Sequence, residues 1–246
     1  MDGNLRMATL DDLPAVTSVM ATAFSRDPAW GPYSFPDDDR RVDQLEAFWG
    51  PQLRAAMRFP WTFVTPGCEA AVVWIPPGES EFTPEQERDV VALTVGLVGQ
   101  EQADVIFEVF EQLEQQHPHD PPHFYLSLLA THDDHRGRGL GMTLLGDSLR
   151  LIDREIGVWA MMTPARHRRR GGGRAVLTAA LAASWRDDTA GAFLWSSPLG
   201  RPLYESVGFE AIEGARYGCS ATARNCLLLS ATSSAAVFDG RFQACA

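Results

Sequence analysis

The sequence predicts an α/β protein in which helices cover a central sheet. Short apolar runs alternate with stretches of helical period, the pattern of layered strands and helices. One run, Phe124 to Ala130, is almost wholly apolar, as expected of a strand covered on both faces. A strand-loop-helix pattern that starts there recurs 32 residues later. With 246 residues and 45% hydrophobic content, the chain can bury a substantial core.

Leu5-Arg6-Met7 is the first strand candidate. Asp11 or Asp12 can cap the next helix, whose apolar face carries Leu13, Val16, Val19, Met20 and Phe24. A Pro/Asp-rich loop from Asp27 to Asp39 leads to a helix from about Arg41 to Met57. Trp61 to Thr65 and Ala70 to Ile75 read as a hairpin turning at Pro66-Gly67. Thr83-Pro84 opens one or two helices that reach about Gln116. The buried strand Phe124 to Ala130 follows, then a polar loop and a helix from Gly141 to about Arg154.

The pattern then restarts. Val158 to Met162 is apolar, Ala165 to Arg170 is a polar loop, and Arg174 to about Trp185 is helical. Under the shift of 32 residues, Thr131, Arg136, Arg138, Gly139, Gly141 and Leu145 align with Thr163, Arg168, Arg170, Gly171, Gly173 and Leu177. This is a duplicated unit, although two copies fall short of a solenoid. Ala192 to Trp195 is a further strand, and Pro202 to Val207 a short helix. The expected organisation is residues 1–155, then 156–218 carrying the repeat, then a poorly ordered tail over 219–246 in which Cys226 to Leu229 can form a last strand.

All 21 basic residues are Arg, and the formal net charge is −11. That balance argues against nucleic acid as a partner and suits a cationic small substrate. No apolar run approaches the roughly 20 residues that span a bilayer. The N-terminus has no basic region followed by an apolar run, so the expected location is the cytoplasm. The four Cys show neither zinc nor disulfide spacing.

Arg136-Gly137-Arg138-Gly139-Leu140-Gly141 lies between the buried strand and a helix. A helix start leaves backbone N–H groups without partners and carries partial positive charge. Glycines let a bulky anion approach, and Arg supplies fork-shaped donors for phosphate oxygens. The construction reads as a pyrophosphate cradle. It lacks the Gly-Lys-Ser/Thr of a Walker loop and the glycine spacing of a dinucleotide fingerprint.

These residues resemble the Arg/Gln-x-x-Gly-x-Gly/Ala signature of the GCN5-related N-acetyltransferases (GNAT superfamily). Arg168-Arg169-Arg170-Gly171-Gly172-Gly173 fits it as well, and Ser197 to Phe209 looks like the family's fifth-strand exit and fourth helix. The resemblance covers nearly the whole chain up to about Ile212. It implies a mixed, mostly antiparallel sheet flanked by helices, here with one extra β-loop-α unit. It also implies acetyl-CoA as cosubstrate and direct acetyl transfer to a small amine. Backbone groups of Leu129 and Thr131 would hold the pantetheine arm, and the loop Arg136 to Gly141 the pyrophosphate. Arg168, Arg170, Gly171 and Gly173 are the alternative cradle. Tyr204 matches the family's general acid, since a phenol is protonated at neutral pH and can donate. A homodimer is a further expectation.

The duplication leaves two arrangements open. Either the first loop binds the cofactor and Val158 to Met162 serves as the fifth strand, or the second loop does, with Phe193 to Ser197 and Tyr204 following in normal order. The first is favoured because its loop adjoins the complete N-terminal half. The alternative function is a catalytically silent CoA-binding protein left by fusion or truncation.

No general base stands out. Glu69, Asp133 and His123 can reach a cleft, but their spacing selects none of them. Five of the six His lie between His117 and His135, yet prolines break any regular presentation, and no metal is expected. Trp30, Tyr33 and Phe35 suit an acceptor pocket or, more often, a core edge.

Overall fold

A computed structural model describes residues 5–27, 29–114, 122–152, 156–158, 191–196, 201–206, 209–217 and 226–232. Its strands are β1 (Arg6–Met7), β2 (Thr62–Val64), β3 (Ala70–Ile75), β4 (Phe124–Thr131), β5 (Ile156–Val158), β6 (Gly191–Ser196), β7 (Glu210–Tyr217) and β8 (Cys226–Thr232). Its helices are α1 (Leu13–Phe24), α2 (Arg41–Ala56), α3 (Pro84–Val98), α4 (Gln100–Glu114), α5 (Leu140–Leu149) and α6 (Arg201–Glu205). None of the described helices is long and apolar enough to cross a membrane.

One sheet has the order β1-β2-β3-β4-β5, and a second has the order β6-β8-β7. The first four strands are antiparallel, and β5 joins β4 in parallel through Phe124↔Ile156 and Leu126↔Val158. The expected mixed, mostly antiparallel sheet is therefore present. β3 is buried along its whole length. Ala71, Val73 and Ile75 join the core under α1 and α2. Ala70, Val72 and Trp74 join the core under α5. The two-residue alternation of a strand thus serves both layers, which is why the run carries no polar residue.

Two ends are built differently from the sequence reading. Asp12 does not cap α1 through its side chain. Its carboxylate instead accepts from Thr9 N at 2.8 Å and from Arg6 at 2.7 Å, so it closes the turn before the helix. The helix expected to reach Arg154 stops at Leu149. Leu151 N bonds Ser148 O and Ile152 N bonds Leu149 O, which tightens the last turn and carries Ile152 into the core.

The second sheet departs further. Cys226–Thr232, assigned to the tail, is its middle strand. β7 has no counterpart among the strands expected from the sequence. Between Ala211↔Leu229 and Arg216↔Leu227 its register slips, so no regular alternation runs through it. Of the expected strand Val158 to Met162, only Val158 lies in β5. Residues 159–162, the second Gly/Arg loop and the helix after it lie outside the described residues.

Candidate functional site

The site is built around the end of β4 and the start of α5. Thr131 ends β4 opposite Ala70, and His132 N bonds Glu69 O at 2.8 Å. A 3-10 turn over Asp133–His135 follows. Gly137 and Gly139 then take the left-handed conformation, with φ of 80° and 76°. Only glycine does so without strain. Gly139 is the N-cap of α5, and the first helical bond runs from Thr143 N to Gly139 O. The amides of Leu140, Gly141 and Met142 precede that bond and have no partner within the helix. No acidic residue stands in the first turn, so no carboxylate of the helix itself offsets its positive end.

Gly141 sits where the helix meets the strand. A Cβ there would lie 2.9 Å from Thr131 Oγ1. Deeper in the helix, Trp74 Nε1 donates to Ser148 Oγ at 3.1 Å and fastens α5 to the sheet. Leu144, Leu145 and Leu149 pack on the same side. The amides of this helix start, its positive end and the absence of a side chain at Gly139 and Gly141 suit a pyrophosphate.

The two arginines of the loop do different things. Arg136 turns inward, with Nε 2.8 Å from Asp133 Oδ1 and one terminal nitrogen 2.7 Å from Ala23 O. It ties the loop to the last turn of α1, where a cation also complements the helix dipole. Arg138 is exposed and lies 3.4 Å from His135 Nδ1. Arg136→Ala is therefore expected to lower stability by about 1–3 kcal/mol, read by thermal melting. Arg138→Ala should leave the melt unchanged.

Leu129 pairs with Val72 and is partly buried against the α5-side core. Tyr204 is buried in α6, with its ring 6.1 Å from Phe209. Burial pushes its hydroxyl up to about 12, so it carries its proton throughout the neutral range. Arg168, Arg170, Gly171 and Gly173 lie outside the described residues.

The carboxylates considered as bases are engaged. Glu69 accepts from Thr65 Oγ1 at 2.6 Å within the hairpin turn, and that bond holds it below the usual carboxylate range. Asp133 pairs with Arg136. His123 is half-buried just before β4. No group of three His, Cys, Asp or Glu among the described residues is arranged for a metal. Trp30 packs 5.0 Å from Phe110 and 5.6 Å from Trp49, and Phe35 is fully buried, so both complete the core under α1 and α2.

One acidic residue escaped the sequence reading. Opposite Val73 and Trp74, β4 presents Leu128 and Leu126, so Ser127 is the extra residue of a β-bulge. Ser127 Oγ donates to Glu81 Oε1, and the Tyr125 hydroxyl bonds the same carboxyl group. Arg58, just past α2, donates to Glu81 O at 2.6 Å and to Ser80 O, which fixes that loop. Burial pushes the Glu81 carboxyl up. The Ser127 and Tyr125 hydroxyls and Arg58 act against that rise, while the Glu114 carboxylate adds to it. Only the folded bulge gives Glu81 its partners.

No family model matches the chain, and no curated protein matches it in sequence. Solved structures do. The histone acetyltransferase HPA2 and related acetyltransferase from Corynebacterium glutamicum is 18% identical, with a TM-score of 0.51 over 94% of this chain and 97% of that one. Arylalkylamine N-acetyltransferase 2 from Aedes aegypti is 11% identical, with a TM-score of 0.47 over 93% and 97%. An N-acetyltransferase from Staphylococcus aureus is 14% identical, with a TM-score of 0.43 over 92% and 98%. By its likeness to the first of these, the chain has the fold of the GCN5-related N-acetyltransferases.

Proposed function

We propose that the chain is a cytoplasmic N-acetyltransferase that moves the acetyl group of acetyl-CoA directly to a small amine. The observation that carries this reading is the helix start of α5. Two left-handed glycines, Gly137 and Gly139, lead into its first amides, which have no partner within the helix, and Gly141 lets it close on the end of β4. When bound, acetyl-CoA supplies an activated acetyl thioester. In this reading the amides of Leu140 and Gly141, with Arg138, hold its pyrophosphate. The main chain of β4 near Leu129 and Thr131 orients the arm and offers an N–H to the thioester oxygen. Tyr204 donates its proton to the departing sulfur. The formal charge of −11 favours approach of a cationic acceptor over an anionic one.

The test is release of free CoA thiol on a panel of primary amines, run beside the thermal shift produced by acetyl-CoA. Turnover supports the enzyme. A thermal shift without turnover supports the catalytically silent CoA-binding alternative, and neither response sinks both. Tyr204→Phe is expected to lower kcat by on the order of a hundredfold with little change in KM for acetyl-CoA. Because the hydroxyl is pushed up to about 12, wild type should show no loss of rate from its ionisation between pH 7 and 10. A pH-rate series covering that range checks it.

A further inference from the structure

The geometry points to Glu81 as the base that takes the proton from the acceptor nitrogen, with Ser127 holding its carboxylate at the bulge of β4. This rests on the acetyltransferase reading and adds to it a group that the sequence did not single out.

Position is the first argument. The phosphate-binding end of the site is fixed by the contact between Gly141 and Thr131. A pantetheine arm, with its two amides, is about as long as four or five extended residues, roughly 15 Å at ~3.3 Å per residue. From Thr131 back to Ser127 is four residues, or roughly 13 Å on the same scale. The bulge thus falls where the arm would end. Bulges occur preferentially beside active sites, because the extra residue re-aims a side chain.

The second argument is the surroundings. Glu81 is held by hydroxyl donors from Ser127 and Tyr125 on β4. Glu114 at the end of α4 and Arg58 beyond α2 act on it from the other packed elements. Arg58 is spent on the Ser80 and Glu81 carbonyls and on the face of Phe59, 4.2 Å from its ring centroid. Among these described groups the carboxyls of Glu81 and Glu114 outnumber the one cation, Arg58, a balance that suits an ammonium ion. Tyr125 and Leu128 pack toward α1 and α2, whereas α5 covers the opposite face of the sheet. The amine therefore comes from the side away from the phosphate cradle, and the two substrates meet at β4.

The amine nitrogen forms a C–N bond to the acetyl carbon, and the carbon–sulfur bond breaks. The nitrogen's proton goes to the Glu81 carboxylate, and the sulfur takes one from Tyr204. Glu81 then returns its proton to solvent, from which Tyr204 is reprotonated.

Glu81→Gln is expected to lower kcat/KM for the amine by on the order of a hundredfold or more and to remove the acidic limb of the pH-rate profile. Ser127→Ala removes a bond that favours the charged carboxylate, so it should move that limb to higher pH while leaving much of the rate. A third readout needs no acetyl-CoA. A raised pKa in the folded state means the folded chain binds more protons, so wild-type stability falls as pH rises from about 4.5 through the raised value. Melting of Glu81→Gln should lack that fall, and the variant should be at least as stable as wild type at pH 7. Loss of rate without loss of stability supports the assignment. Turnover by Glu81→Gln within threefold of wild type, with the acidic limb intact, overturns the assignment and leaves the acetyltransferase reading standing. Absence of turnover by wild type on every amine overturns both.

Discussion

Gly139→Glu is expected to abolish the thermal shift that acetyl-CoA produces, with affinity falling on the order of a hundredfold or more. Two effects act together. Gly139 has φ of 76°, where a side chain costs about 1–2 kcal/mol. The larger effect is electrostatic, because the new carboxylate stands at the positive end of α5 and competes with the pyrophosphate for the same amides. Gly139→Ala separates the two. Its Cβ would meet nothing within 4 Å, so it should retain most of the binding and lose only the conformational term. A cofactor-dependent melting series on both variants is the measurement. Gly171→Glu belongs in the same series. If it alone removes the shift, the second loop holds the cofactor and the first does not.

Trp74→Ala should cost about 3–5 kcal/mol and lower the melting temperature by roughly 10 °C. Trp74 is fully buried, and its indole nitrogen donates to Ser148. The substitution leaves a large cavity under α5 and deprives a buried hydroxyl of its donor. Ser148→Ala removes only the hydrogen bond and should cost about 1–2 kcal/mol. Because the cradle depends on where α5 meets Thr131, Trp74→Ala should also weaken acetyl-CoA binding at temperatures where it is still folded. Calorimetric melting with and without acetyl-CoA separates the effect on folding from that on binding.

Much of the first sheet was legible because its residues obey local rules. Ala70 to Ile75 is apolar without interruption and Phe124 to Ala130 is apolar but for Ser127 and the Tyr125 hydroxyl, and both are inner strands. Thr83 caps α3 with a reciprocal Gln86 bond, as Thr-Pro followed by Gln suggests. The loop Arg136 to Gly141 was legible as a helix start because its glycines follow a buried strand and precede an apolar run of helical period. The division of labour between Arg136 and Arg138 was not legible. It depends on Ala23, which is remote in sequence and contributes only a main-chain carbonyl. Glu81 was hidden for a similar reason, since its partners are Ser127 and Tyr125 across the helical pair α3 and α4. β7 was missed because an irregular ladder erases the two-residue period on which strand reading depends.

The order β6-β8-β7 bears on how the polypeptide matures during synthesis. β1 to β5 can pair as soon as residues up to Val158 have left the ribosome. Neither β6 nor β7 gains its ladder until Cys226–Thr232 emerges to bridge them. Among the described strands, β6 and β7 thus lack their ladder partner until then, and unpaired edges invite pairing with other chains. Among the described strands, closure of the second sheet waits on the last of them.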